Sequence, residues 1–352
     1  MRASYPAWFL TTVTLALAAV FAFNAIAEHY ILDAPNGPSL QTITGFERVL
    51  KPVWLDAMHP DVVLVGSSRV RDAFDPVLVA RATGLRIFNY GVSSTSAYET
   101  RRFVQDAAAH AGVKTIGVSL DAFQGGERGG SGFDETRLAV TADGDSTPRR
   151  GLWLFTTRYL SGGALGMHVQ SVYLLSRLGT GETAADRPDL FGAYAQMTPR
   201  VMARDLLHRR ARTMQMSEGG HRQLRALLDA VCRRDLDLIL YFPPDRIEIQ
   251  RRYLANDAKG LAAFKSVVAR EARAHNAACR SRVSVFDFLQ PSPLSTEPMV
   301  NGESPSYVDL IHIRPPAGLR LLKTMIHRPG AEPALDRELV FDVGRTIARA
   351  PK

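Results

Sequence analysis

Cysteine is scarce in this chain: two residues, Cys232 and Cys279, in 352, with no Cys-x-x-Cys pair. Two thiolates cannot close a four-ligand zinc site on their own, which excludes a zinc-organised fold. Each cysteine ends a predicted helix just ahead of a predicted strand. In an oxidising compartment they can pair; two buried thiols are the alternative. The histidines add no metal-ligand spacing: His208, His221 and His275 lie in charged helical segments and read as surface groups. Asp143 and Asp145 share a loop, but the twelve-residue calcium pattern with its closing glutamate is missing. The net charge is +8, yet no zinc-finger, RNP or basic-zipper pattern accompanies it, so nucleic acid is not an expected partner. The clusters His208–Arg212 and Arg222…Arg225 sit among helical apolar positions and read as solvated faces. Nothing in the sequence calls for a cofactor or a metal.

Charge is absent from Ala3 to Ala27. The run from Pro6 to Ile26 is long enough to cross a bilayer once, at about 20 residues per span. Arg2 and the amino terminus carry the nearby positive charge, so that end is expected to stay inside, with Trp8 at an interface. A cleaved signal peptide is the competing reading, because Ala25-Ile-Ala27 resembles a cleavage site; the length of the run favours an uncleaved anchor. Either way residues 28–352 are expected outside the cytoplasm, as in a single-pass protein of a bacterial-type inner membrane with a periplasmic domain. A basic head at a membrane could also attract anionic lipid or polysaccharide.

The whole chain, anchor included, is 46% apolar, enough for a full core. Residues 1–27 are read as anchor, 28–56 as a stalk with Pro35, Gly37, Pro38 and Pro52, 57–330 as one α/β domain, and 331–352 as a tail. Asp61–Val65, Leu85–Tyr90, Thr115–Leu120, Leu236–Phe242 and Val283–Phe288 read as buried strands. Helices are predicted at 99–111, 219–234, 259–277 and 315–326; Leu224, Leu227, Leu228 and Val231 show the helical repeat. The alternation predicts a parallel five-stranded sheet with right-handed crossovers. Residues 125–200 interrupt it and read as an insertion. Its aromatic residues Trp153, Phe155 and Tyr159 are candidates for a lid or sugar-stacking surface, or for ordinary packing.

The chemistry concentrates at two places. Asp61-Val-Val-Leu-Val-Gly-Ser-Ser-Arg69 is an apolar strand ending in Gly-Ser-Ser, and Asp309-Leu-Ile-His312 lies far downstream. Serine attacks a carbonyl only when a base takes its proton, usually a histidine oriented by a carboxylate. In a parallel sheet, ligands sit at the carboxyl ends of strands, where Gly66-Ser67-Ser68 falls. Each residue also has a plain structural reading: Ser68 as a helix cap, Gly91 as a turn glycine, Asp309 as an N-cap and His312 as a packed side chain. Gly144-Asp145-Ser146 is a second candidate, but it lies in a turn-rich loop.

With Gly66-Ser67-Ser68 as first block, Asn89-Tyr-Gly-Val-Ser-Ser94 as second and Asp309-Leu-Ile-His312 as last, the chain resembles the SGNH/GDSL hydrolase family. The Gly-Ser-Ser form is similar to membrane-anchored members serving polysaccharide O-acetylation and D-alanine transfer. The resemblance implies a flavodoxin-like three-layer sandwich. It implies Ser68 as nucleophile, His312 as base and Asp309 as orienter, with the backbone N–H groups of Ser68 and Gly91 as oxyanion donors. The chain departs from the family in the third block, where no asparagine follows strand three; Asp121 or Gln124 stands in its place, and an ionised aspartate donates no hydrogen bond. Arg69 is a candidate for an anionic substrate group, or for a structural salt bridge. The expected activity is an acyl transfer, O-acetyltransferase or acetylesterase, on a cell-surface or exported polysaccharide, with a membrane-bound O-acyltransferase as candidate partner. The alternatives are an inactive scaffold on the same fold, motivated by the missing asparagine, and a lipase or thioesterase.

Overall fold

Five short apolar runs become five parallel strands: β1 (Val62–Gly66), β2 (Ile87–Gly91), β3 (Thr115–Ser119), β4 (Asp237–Phe242) and β5 (Val283–Asp287), in the order β2-β1-β3-β4-β5. The structure is a computed structural model that describes residues 5–34, 37–42, 47–126, 128–130, 132–141, 145, 150–179, 182, 186, 215–234, 236–300 and 304–326. The helices are α1 (Tyr5–Asp33), α2 (Glu47–Met58), α3 (Ser68–Ala73), α4 (Pro76–Thr83), α5 (Ala97–Ala108), α6 (Arg150–Phe155), α7 (Gly162–Arg177), α8 (Glu218–Cys232), α9 (Ile247–Ala278) and α10 (Pro315–Ile326).

Side chains alternate across a strand, so each strand feeds two cores. Val63, Val65, Phe88, Ile116, Val118 and Leu240 face one cluster, which also takes Trp54 of α2, Phe103 of α5, Leu227 of α8 and Phe264 of α9. Val62, Leu64, Ile87, Ile239 and Tyr241 face the other, covered by Val70 and Phe74 at α3, Val79 of α4 and Leu321 of α10. Helices on both faces of a parallel sheet make the expected three-layer, flavodoxin-like arrangement. The strands are apolar throughout because both of their faces are covered.

Three expectations shift. Residues 28–56 do not stand off as a stalk: Ile31, Leu40, Trp54 and Leu55 belong to the core, and Pro52 sits inside α2. The helix predicted at 259–277 starts earlier, at Ile247, and is interrupted at Asp257, where φ is −162° and ψ 67°. Phe155 and Tyr159 form no lid over the strand ends; their rings pack on Phe21 of α1, with centroids 5.7 and 5.4 Å away. The side chain of Trp153, residues Gly144 and Ser146, His208–Arg212 and the tail 331–352 lie outside the described residues. Arg222 and Arg225 are exposed on α8 and pair with Glu218 and Glu271. Cys232 and Cys279 form a disulfide that joins the ends of α8 and α9 across 47 residues. Helix α1 is long and apolar enough to span a membrane, and its first sixteen residues are almost wholly exposed.

Candidate active site

The turn after β1 is tight because nothing larger than hydrogen fits at Gly66. A Cβ there would lie 2.5 Å from Val70 Cγ2 and 2.8 Å from Ser119 Cβ. Ser67, not Ser68, caps α3: its Oγ accepts the Arg69 N–H at 3.2 Å from an extended backbone. Ser68 is thereby left as the first residue of the helix with its hydroxyl uncommitted to capping. Amides in a first helical turn have no carbonyl partner within the helix, which leaves the Ser68 N–H available to an acceptor in the cleft.

Facing it is a loop closed on itself by the bridge between Tyr307 and Ile313, with the Val308 N–H donating to His312 O at 2.8 Å. Asp309 shapes this loop. Its Oδ1 accepts the N–H groups of Ile311 and His312, each at 2.7 Å, while Oδ2 takes Nδ1 of His312 at 2.6 Å. Burial by itself pushes the Asp309 carboxyl up, but these hydrogen bonds and the nearby imidazole outweigh it and hold the carboxyl below its ordinary value. An ionised Asp309 accepting from Nδ1–H fixes the tautomer in which Nε2 is a lone-pair acceptor. Nε2 lies 2.8 Å from Ser68 Oγ. The three residues named from sequence are therefore brought together, with His312 within hydrogen-bond reach of both Ser68 and Asp309.

Asp121 joins the site from the other side. It follows β3 in a 3₁₀ turn (Leu120–Gln124) and accepts the hydroxyls of Ser67 at 2.5 Å and Ser119 at 2.6 Å. It stands where the third block was expected and braces Ser67, the residue before Ser68. Gln124 closes the same turn, half-buried.

One expectation fails and one alternative is decided. The Gly91 N–H is not an oxyanion donor, because it donates to Asn89 Oδ1 at 2.9 Å. Gly91 is glycine for packing: a Cβ would fall 2.2 Å from Arg71 N. Arg69 follows its salt-bridge reading. It is 3% exposed, and its guanidinium pairs with Asp245 and donates to Pro244 O at 2.8 Å, tying the end of β1 to the loop after β4.

Three residues were missed. Asn89 donates through Nδ2 to the carbonyls of Val70, Arg71 and Phe74 and so holds α3 against β2; its only sequence signal is Asn-x-Gly at a strand end. Ser119 helps hold Asp121. Ser94 adopts φ 52°, a left-handed conformation unusual for serine, in the loop beside Gly66. Below that loop lies a buried charge group. Arg71 pairs with Glu47 and Asp72 and donates to Ser93 Oγ, Ser93 donates to Glu47 at 2.7 Å, and Lys51 Nζ donates to Gly91 O at 2.6 Å. Among the described residues no group of three or more His, Cys, Asp or Glu side chains is placed to hold a metal ion.

No family model and no curated protein matches the chain. Among solved structures, it is similar to a provisionally assigned platelet activating factor from Streptococcus pneumonia, at 11% identity and a TM-score of 0.36, over 79% of this chain and 90% of that one.

Proposed function

We propose that this protein is a membrane-tethered serine acyl-transfer enzyme of SGNH type, acting outside the cytoplasm on a cell-surface or exported polysaccharide. The reading rests on one observation: Ser68 Oγ, His312 Nε2 and Nδ1, and Asp309 Oδ2 form an unbroken chain with steps of 2.8 and 2.6 Å. That is the geometry of an activated nucleophile. His312 Nε2 takes the Ser68 proton as Oγ attacks the acyl carbonyl, and Asp309 stabilises the imidazolium that forms. The oxyanion is met by the Ser68 N–H and by a second donor from the 92–96 loop. Ser94 is the favoured source, because backbone held in a sparsely populated conformation beside a nucleophile is where such a function is sought. The imidazolium protonates the leaving alcohol, and the acyl group stays on Ser68. A sugar hydroxyl or water, deprotonated by the same histidine, then releases it. The first acceptor makes a transferase, the second an esterase.

Helix α1 supplies the tether. Its retention rather than cleavage after Ala27 is supported by Asn24, Ala27 and Glu28 being buried against the rest of the chain. The test is hydrolysis of 4-nitrophenyl acetate, and acetate release from an O-acetylated polysaccharide, by the full chain in detergent beside its Ser68→Ala variant. Loss of turnover in the variant is expected. Equal rates in both would remove the serine nucleophile and leave a binding protein on this fold.

A further inference from the structure

Outside α1, seven large apolar side chains are exposed among the described residues, and four of them, Leu152, Phe155, Val169 and Tyr173, lie on one hairpin. The hairpin is α6, the π-helical turn Thr156–Leu160 and α7. It packs on α1. Phe21 meets the rings of Phe155 and Tyr159, Asn24 Nδ2 donates to Tyr159 O at 2.9 Å, His168 Nδ1 lies 2.9 Å from Asn24 Oδ1, and Arg158 grips both carboxylate oxygens of Glu28 at 2.6 and 2.5 Å. The seam between the hairpin and α1 thus holds these polar pairs together with the aromatic cluster, while Leu152, Val169, Tyr173, Gly162, Gly163 and Gly166 are exposed on the outside. Exposed apolar side chains beside a seam in which the polar groups satisfy one another suit contact with an apolar solvent.

Depth makes the argument specific. If the uncharged run ending at Ile26 fills the hydrocarbon layer, Phe21 lies about 8 Å inside its edge, at 1.5 Å of rise per residue. Phe155 lies within 5.7 Å of that depth, because the two ring centroids are 5.7 Å apart. We propose that the tip of this hairpin, from Phe155 to Gly166, lies in the lipid headgroup–acyl boundary beside α1, as a second membrane contact of the head. The occupant of its outer face is lipid, by continuity with the exposed surface of α1. The proposal rests on the reading of α1 as a span.

The test uses the full chain in proteoliposomes of phosphatidylethanolamine and phosphatidylglycerol, with a nitroxide on a single introduced cysteine. Gly162→Cys and Gly166→Cys suit it, since an added Cβ meets nothing within 4 Å at either position. The native cysteines are paired with each other and do not label. Leu15→Cys reports the span and Leu254→Cys, exposed on α9, reports water. At 162 and 166 the ratio of oxygen to nickel-chelate collisions is expected severalfold above that of Leu254 and below that of Leu15. A water-like ratio at 162 and 166 with Leu15 in lipid overturns the hairpin contact and leaves the span standing. A water-like ratio at Leu15 overturns the span itself. Labels at 162 and 166 shielded from both colliders would mean that protein, a second copy or another membrane protein, covers the face, and would overturn lipid as its occupant.

Discussion

Ser68 and His312 are 244 positions apart in sequence, yet Oγ and Nε2 lie 2.8 Å apart. The first is delivered by the turn after β1, the second by a loop whose shape depends on Asp309. In the proposed mechanism neither residue is reactive without the other, so their effects on turnover should not add.

Ser68→Ala and His312→Ala are each expected to lower ester hydrolysis by about 10³-fold or more, and the double variant by no more than the worse single one. Asp309→Asn should cost about 10⁴-fold by loss of the tautomer and of the imidazolium's counter-charge. Single-turnover rates with 4-nitrophenyl acetate measure all of these; additive losses in the double variant would contradict a concerted unit.

Asp121 is where the family resemblance asks for asparagine, and the structure has it accepting the hydroxyls of Ser67 and Ser119. Asp121→Ala should leave both hydroxyls unsatisfied and lower stability by about 1–3 kcal/mol. Asp121→Asn keeps an acceptor for Ser67 and adds a donor at the cleft, so its rate should equal or exceed the parent's. Thermal melts and rates for the pair separate bracing from chemistry.

Lys51 is fully buried, and burial lowers its amine to about 7 against the opposing attraction of Glu47. Between about 7 and the ordinary 10.5, the unfolded chain holds a proton that the folded chain has lost. Stability from this group therefore rises with pH through that window, and the cost of the buried ammonium is fully present below it. Glu47 runs the other way. Burial raises it, but the Ser93 hydroxyl, Lys51 and Arg71 bring it down to about 2 from 4.5, so its contribution is present above 4.5 and is lost as pH falls toward 2. Melting temperature against pH, parent beside Lys51→Met, should show the rise between pH 7 and 10 flattened in the variant.

The Cys232–Cys279 bridge closes a 47-residue separation. Reduction, or Cys232→Ser with Cys279→Ser, should lower stability by about 2–4 kcal/mol. Denaturant midpoints with and without reductant measure it, and a free-thiol assay on the unreduced chain should find none.

Much of the fold was legible because its signals are local. Strands covered on both faces read as apolar runs, and α10 reads as Pro315–Ile326 because proline opens it and apolar positions repeat behind it. That Ser68, Asp309 and His312 come together is foreshadowed by the Gly-Ser-Ser and Asp-x-x-His blocks, their order and the family resemblance they carry. What failed depends on which partner reaches a group first. The Gly91 amide looks free in sequence, but the Asn89 side chain two residues away takes it. Arg69 is open to two readings in sequence, anion receptor or structural salt bridge, and its partner, Asp245, is remote in sequence and reaches it from the loop after β4. The segment 28–56 looks like a stalk from its prolines and glycine. Ile31, Leu40 and Trp54 show it to be core only once the surfaces that receive them are built.

Helix α1 runs without interruption from its exposed half to Ile31, which is already in the core. With its apolar half in a bilayer it is a lever and not a leash. A change in membrane thickness that tilts the helix tilts the cleft by the same angle, and rotation of the helix about its axis swings Ser68 around a fixed circle. The working radius of such a head is set by its own dimensions, so any acceptor has to be brought to that ring instead of being reached for.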